Sequence, residues 1–295
     1  MFSSRIDQQP ALQLLSGASM ISFSAVFVKL ADVSPTASGF YRVFFGALFL
    51  LAATLWHQNK TKQLPGHWCL LIVCGLLFAL DLFFWHECVL FVGPGLATIL
   101  GNFQVFLLAA VGILFLGDKA RPAFLLSVPL AVAGLLLIIG WDWGALESDY
   151  KKGIYFGLLT AICYAAFLLC LRRVKADSIH SLLSSLCIIS ASCALFLGLK
   201  MLFTEDSFAI PDLNTLFALV GLGLFSQSIG WVIIASALPR IPPGLAGLLL
   251  LLQPTLAFVW DVLLFNRHTS TLNWAGVFLT LTAIYLGTRP PRVHP

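Results

Sequence analysis

Residues 68–86 read WCLLIVCGLLFALDLFFWH and contain one formally charged side chain, Asp81. A run of this length and composition is long enough to cross the hydrocarbon layer of a bilayer as a helix. No water is available there to bond the backbone, so a helix, which satisfies its own N–H and C=O groups, is the expected conformation. The stretch therefore predicts a membrane-spanning helix.

The whole chain shares this composition. Of its 295 residues, 59% are apolar and only 10% are charged, with a mean hydropathy of +0.95, whereas about a quarter of a soluble protein is charged. The seven cysteines lie within or beside apolar runs, without the paired spacing of a disulfide framework or a zinc site. We expect a membrane protein with no metal and no cofactor.

Ten stretches meet or approach the length of a spanning helix. Turn residues or charges separate them, among them Gly93-Pro94 and Ile241-Pro242-Pro243-Gly244. The first run, which begins at Ala11, lacks a small-residue cleavage site before it and is interpreted as a retained helix. The predicted spans are residues 11–30, 37–56, 68–86, 94–116, 122–140, 153–171, 182–203, 216–238, 243–265 and 272–287. The fold class is all-α, a polytopic membrane protein with ten transmembrane helices.

The basic residues predict the topology. If the N-terminus is cytoplasmic, most of the 17 Lys and Arg residues fall on the cytoplasmic side, and only Lys151, Lys152 and Arg267 fall in outside loops. The positive-inside rule then places both termini in the cytoplasm, with the bacterial inner membrane as the expected location. We interpret the net charge of +4 as this asymmetry, and we expect no nucleic-acid partner.

An internal repeat relates the two halves. A shift of 149 positions lays Gly95-Leu96-Ala97 and Gln104 on Gly244-Leu245-Ala246 and Gln253. Residues 1–145 and 146–295 then hold five spans each, and an odd number gives the halves opposite orientations. Chance recurrence in an apolar chain is the alternative. Inverted repeats are common in secondary transporters, whose site lies near the bilayer midplane between the repeats.

Several short motifs, in order along residues 11–288, carry a family resemblance. They are Phe40-Tyr41-Arg42-Val43-Phe44, Gly93-Pro94-Gly95-Leu96-Ala97, Leu114-Phe115-Leu116-Gly117-Asp118 and Leu252-Gln253-Pro254. The chain resembles the EamA family of the drug/metabolite transporter superfamily. The resemblance implies a permease of two five-helix repeats that moves small metabolites. Asn266-Arg267 departs from it, because a Gly followed by an acid is usual there.

Of the charged residues inside the predicted spans, Arg42 and Asp81 lie farther from the helix ends than Lys29 and Lys200 do. Counted along their helices, Arg42 and Asp81 both lie roughly 8 Å from the outer boundary. A charge at the bilayer centre is costly and is a functional hypothesis by default. One interpretation is a static ion pair that joins the second and third spans. The other is that Asp81 binds a proton or a cationic substrate group and exchanges Arg42 between states.

Aromatic and amide side chains complete the candidate site. Trp85, Tyr41 and Trp231 could wall a pocket for an amine or a ring, or Trp85 and Tyr41 could belong to the interfacial aromatic belt. Amides in helix middles either line a wet cavity or join helices; they are Asn102, Gln104, Gln227 and Gln253. Gln104 and Gln253, as repeat mates, are expected to face each other, and Pro254 predicts a kink in the ninth span.

Residues near the outer ends are expected to be solvated. Lys29 and Lys200 can extend to the interface, and His86 and Asp261 are predicted to contact water there.

Three function classes compete. No His-x-x-His or Glu-x-x-His spacing for a membrane-embedded enzyme, no filter loop for a channel and no nucleotide-binding glycine loop occur in the chain. We predict a protein that is not an enzyme but a secondary transporter of an amino acid or related amine, with protons as a possible coupling ion. Export is favoured, and import or exchange is the alternative. A homo-oligomer is possible.

Overall fold

A computed structural model gives the architecture of the chain. It describes residues 8–57, 68–115, 122–139, 147–171, 179–237, 240 and 252–288. Five of the helices are long and apolar enough to cross a membrane by length and composition, namely those at Gln9–Leu30, Pro35–Trp56, Trp68–Val92, Ser181–Phe203 and Leu213–Ala237. Both chain termini and the repeat segment Gly244-Leu245-Ala246 lie outside the described residues.

Each predicted span corresponds to a helical segment, which we label α1 to α10. The bounds are α1, Gln8–Ser22 and Ser24–Leu30; α2, Pro35–Trp56; α3, Trp68–Val92; α4, Pro94–Gly101 and Gln104–Phe115; α5, Pro122–Ile139; α6, Ser148–Leu171; α7, Ile179–Phe203; α8, Leu213–Gly221, Leu222–Gly230 and Trp231–Ala237; α9, Leu252–Phe265; and α10, Thr271–Thr288. Every element of the described part of the chain is helical, as the composition predicted.

Local chemistry sets several helix ends. Ser34 caps α2, accepting a hydrogen bond from the Ala37 N–H at 3.2 Å, and Pro35 occupies the first turn, where a missing N–H costs nothing. Gly93, at φ +84°, makes the sharp turn between α3 and α4. Asn266 follows α9 at φ +50°. Asn tolerates this left-handed conformation, so it can end the helix where the family usually has Gly.

Three helices depart from regular α-winding. The central part of α8, Leu222–Gly230, is a π-helix, while α4 is interrupted at Asn102-Phe103 and α1 at Phe23. Such irregularities commonly occur at functional sites. Pro254 lies near the start of the described part of α9, and the residues before it, 241–251, lie outside the described range, so the kink stays a prediction. The interruption of α4 has no proline at the break.

Helix packing follows the internal repeat. The pairs α2–α7, α4–α9 and α5–α10, each formed by equivalent helices of the two halves, pack together. The pair α3–α6 likewise has its equivalent in α8–α1. This pattern is the one expected of two five-helix repeats related by a two-fold axis.

Glycines bring the equivalent helices close together. A Cβ at Gly95 of α4 would lie 2.7 Å from the Phe258 Cα of α9. In the α5–α10 pair, a Cβ at Gly276 would lie 2.7 Å from the carbonyl oxygen of Gly134. Because backbone atoms cannot turn aside as side chains can, only glycine fits at these contacts.

The structure corrects two predictions of solvation. His86 is fully buried, with Nδ1 2.6 Å from the Leu82 carbonyl oxygen, and α3 continues past it to Val92. Asp261 is also buried, at 1% exposure, and pairs with Arg267 at 3.0 Å. Position along a single helix indicated water for both residues, whereas packing by neighbouring helices and by the segment after α9 excludes it.

Candidate functional site

A cavity of about 90 Å³ lies between the two halves of the bundle. Its walls come from α1 to α4 of the first half and from α6, α8 and α9 of the second. Six of the nine predicted site residues line it: Arg42, Asp81, Trp85, Asn102, Trp231 and Gln253. The cavity therefore lies at the interface between the two repeats.

The two buried charges share this cavity without pairing. Arg42 and Asp81 are 5% and 6% exposed. The Arg42 Nε–H donates to the Gln227 Oε1 at 3.3 Å, and the guanidinium lies 5.6 Å from the centre of the Trp85 ring. None of the ion pairs formed by residues in the described ranges joins Arg42 to Asp81. The static ion pair considered from the sequence is therefore not formed in this conformation.

Gln227 links Arg42 to a third helix. Its Nε2 donates to the Ser190 Oγ of α7 at 3.0 Å, so one amide contacts both α2 and α7. Gln227 itself does not line the cavity, but it holds the Arg42 guanidinium, which does. An amide is well suited to this role because it accepts from a cation on one side and donates on the other.

The residues beside Gln227 bond other helices. Ser226 and Ser24 of α1 share a hydrogen bond of 2.8 Å between their hydroxyls. Ser228 donates to the carbonyl oxygens of Gly46, at 3.1 Å, and Gly223, at 3.0 Å. Three consecutive polar residues of the π-helical segment thus bond to neighbouring helices.

Aromatic rings form much of the remaining wall. Trp85, Trp231, Phe78 and Tyr164 all line the cavity. The Trp231 ring packs edge-on against Phe78 and Tyr164, with 6.3 Å between centroids in both pairs. Its indole N–H is buried and has no hydrogen-bond acceptor among the described residues. A buried donor without an acceptor is costly, so this group is available to a bound molecule.

Of the other predicted residues, Asn102 lines the cavity, whereas Tyr41 and Gln104 do not. The Asn102 Nδ2 donates to the Thr98 carbonyl oxygen at 2.8 Å, where α4 is interrupted. Tyr41 lies away from the cavity and its hydroxyl donates to the Phe208 carbonyl oxygen at 2.5 Å. Gln104 is buried but does not line the cavity, and its side-chain amide oxygen, Oε1, has no hydrogen-bond donor within the described part of the chain. The structure thus does not bring Tyr41 and Gln104 to the cavity.

Sequence reasoning missed several lining residues. Thr160 and Tyr164 of α6, Ser24 of α1 and Phe78 of α3 all contribute. Thr160 and Tyr164 are four positions apart and therefore share a helix face. A search for polar side chains at this spacing within apolar spans would have found them.

A second polar cluster joins the end of α9 to the α3–α4 turn. The Arg267 Nη1 donates to the Asp261 Oδ2 at 3.0 Å and to the Val92 carbonyl oxygen at 2.7 Å. The Gly95 N–H donates to the same Asp261 oxygen at 3.4 Å. Because the Asp261 side chain is 2% exposed, this is a buried ion pair. Within the ranges that the structure describes, His, Cys, Asp and Glu side chains form no group of three or more that could hold a metal.

The comparisons with known proteins agree with this architecture. A solved structure described as "Crystal structure of protein" is similar with a TM-score of 0.67, at 17% identity over 95% of this chain and 98% of that chain. At this identity the likeness shows the fold alone. No curated protein matches the sequence. The pattern of the EamA-like transporter family matches residues 9–140 and 151–289. These two matches cover nearly the whole chain, which therefore belongs to the EamA-like transporter family, a membrane transporter family of the drug/metabolite type.

Proposed function

We propose that the protein moves a small metabolite with an amino group, an amino acid or a related amine, across the bacterial inner membrane by alternating access. The observation that carries the proposal is the separation of Arg42 from Asp81 within one buried cavity between the repeats. We also propose export as the direction, following the family resemblance, with both termini in the cytoplasm.

The chemistry of the cavity supports an amine. Arg42 is bonded to the neutral Gln227, so the buried carboxylate of Asp81 lacks a direct cationic partner among the described residues. An unpaired carboxylate in such a place is strongly disfavoured. The ammonium group of a substrate, or a proton, would remove this cost. Aromatic rings beside it favour a cation as well.

A zwitterion fits the pair of charges. Arg42 retains guanidinium donors beyond the Nε–H that contacts Gln227, and guanidinium is suited to carboxylates. An amino acid could therefore place its ammonium group against Asp81 and its carboxylate against Arg42. The unpartnered Trp231 N–H supplies a further donor.

The cavity's size supports a conformational change. Ligand pockets usually enclose about 300–1,000 Å³, and this cavity has about 90 Å³. Most metabolites would enter only if the walls moved apart, as the rocking of two repeats requires.

The test is flux in membrane vesicles, with a panel of labelled amino acids and amines and with or without a pH gradient. Asp81→Asn keeps the shape of the side chain but removes its charge, and we expect it to abolish flux at normal membrane abundance. Asp149→Asn is the matched control, because Asp149 is 66% exposed and lies outside the cavity. Flux at the wild-type rate in Asp81→Asn would remove Asp81 from the mechanism.

The pH gradient separates the two roles of Asp81. If a proton binds there, wild-type flux follows the gradient. If the substrate's ammonium group binds there instead, flux depends on that group and analogues without it are not carried. A panel in which wild-type vesicles carry neither amino acids nor amines would contradict the proposed substrate class.

A further inference from the structure

A second cavity lies at the end of the bundle that holds the Asp261–Arg267 pair. It encloses about 440 Å³, within the usual range of ligand pockets. Its polar lining residues are Lys29, Tyr150, Asp261, Arg267, His268 and Asn273. It shares no lining residue with the central cavity, so a ligand here would occupy a separate site.

Cations outnumber acids in this lining. Lys29 and Arg267 are cationic, and Asp261 is the one carboxylate. The Lys29 ammonium group lies 4.9 Å from the centre of the Phe265 ring, and no ion pair of the described residues includes it. Asp261 neutralises Arg267, which leaves the Lys29 charge uncompensated at the cavity.

Arg267 retains donors for a further acceptor. Its Nη1 alone serves both Asp261 and Val92. A guanidinium carries five N–H donors in a planar fork that matches carboxylate and phosphate oxygens. Its side chain is 18% exposed, so a ligand in the cavity can reach it.

We propose that this cavity binds an oxyanion, a carboxylate or a phosphate group, between Lys29 and Arg267 and in competition with Asp261. The oxyanion can belong to a soluble metabolite or to a lipid headgroup, since both present the same oxygens. Asp261 also accepts the Gly95 N–H at the start of α4. An anion that draws Arg267 away from Asp261 therefore alters the contact between α9 and α4.

The test measures anion binding to the purified protein in micelles of dodecyl maltoside, a detergent that has neither charge nor phosphate. Sodium acetate or inorganic phosphate replaces chloride at constant ionic strength, and thermal unfolding is followed. A ligand of the folded state raises the midpoint with its concentration. We expect saturable stabilisation of the wild-type protein, with the apparent affinity reduced about ten-fold or more in Lys29→Gln and Arg267→Gln, because each variant removes a charge-assisted contact.

Two further variants sharpen this result. Asp261→Asn removes the competing carboxylate and should bind the anion more tightly than the wild type does. Lys152→Gln is the matched control, because Lys152 loses the same charge in the same predicted outside region but pairs with Asp149 outside the cavity. It should bind as the wild type does. If Arg267→Gln does not fold, Lys29→Gln still tests the proposal, since its side chain is exposed and has no ion pair among the described residues.

Phosphatidylglycerol added to the same micelles distinguishes the two sources of the anion. If a lipid headgroup occupies the cavity, the anionic lipid itself stabilises the wild-type protein, Lys29→Gln loses this effect, and acetate adds nothing. Equal shifts in wild type, Lys29→Gln and Lys152→Gln would indicate a general salt effect and overturn the proposal. So would the absence of a shift with acetate, phosphate and anionic lipid.

Anion binding at this cavity can be tested independently of the proposed transport. Binding is measured without flux, and Asp81→Asn should keep the anion affinity of the wild type, because Asp81 does not line this cavity.

Discussion

Removal of Arg267 should strongly destabilise the fold. In Arg267→Met, Asp261 would keep a carboxylate that is 2% exposed and has lost its cationic partner. Breaking a buried ion pair from one side costs about 3–5 kcal/mol, because the remaining charge stays out of water without compensation. The bond to the Val92 carbonyl oxygen is lost as well. Thermal unfolding in detergent at a fixed heating rate would show a much lower midpoint than that of the wild type.

A second substitution should restore most of the loss. Asp261→Asn together with Arg267→Met leaves no buried charge, and the remaining deficit is about 1 kcal/mol for the unbonded Val92 carbonyl. Lys152→Met is the control, because its ion pair is exposed and such pairs contribute little. Unfolding of Arg267→Met at the wild-type midpoint would show that the pair with Arg267 does not stabilise the buried Asp261 carboxylate. A double variant no more stable than the single one would contradict the same assignment.

Three further predictions concern packing, binding and pH. Gly95→Ala should lower the unfolding midpoint, at a cost of about 1–3 kcal/mol, because its Cβ would lie 2.7 Å from the Phe258 Cα; Gly39→Ala, whose Cβ meets nothing nearer than 3.4 Å, should not. Trp231→Phe keeps a ring but removes the unpartnered N–H, so KM for the substrate should rise about three- to ten-fold at unchanged stability; an unchanged KM would show that the N–H does not contact substrate. The pKa of Asp212 is lowered by hydrogen bonds from the first turn of α8. The cap formed by its carboxylate therefore stabilises the helix above the ordinary carboxyl pKa, and this stabilisation is lost as pH falls through the lowered pKa. In Asp212→Asn this step in the plot of unfolding midpoint against pH should disappear.

The helices could be predicted from the sequence because the bilayer leaves few alternatives. Apolar length and turn residues predicted the ten stretches in which the described residues form helical segments, and the repeat offset matched α4 with α9, which pack together. Arg42 and Asp81 could be selected because charged residues are rare in membrane spans. Counting residues along each helix also placed the two at the same distance from the outer boundary. The structure places both at the same cavity.

The remaining features depend on contacts between helices. His86 and Asp261 were expected in water because their positions were judged along single helices, whereas the neighbouring segments bury them. The π-winding of α8 is accompanied by hydrogen bonds that join Ser226, Gln227 and Ser228 to other helices, and composition carries no signal for it. Tyr41 is adjacent to Arg42 in sequence, but successive side chains leave a helix in different directions. Tyr41 therefore packs against a different set of aromatic rings.

The unequal winding of α3 and α8 has a consequence for the opposite state of the proposed alternating-access cycle. If the two inverted halves exchanged conformations in that cycle, each helix would adopt the winding of its repeat mate. The repeat offset maps the wide-turned segment of α8 onto residues 73–81, which include Phe78 and Asp81 and are regularly α-helical in this structure. Exchange would therefore rewind α3 just before the acid and turn Asp81 about the helix axis, while α8 tightened and changed the orientation of Gln227. The Asp81 carboxylate and the Gln227 amide that holds Arg42 would then change position together.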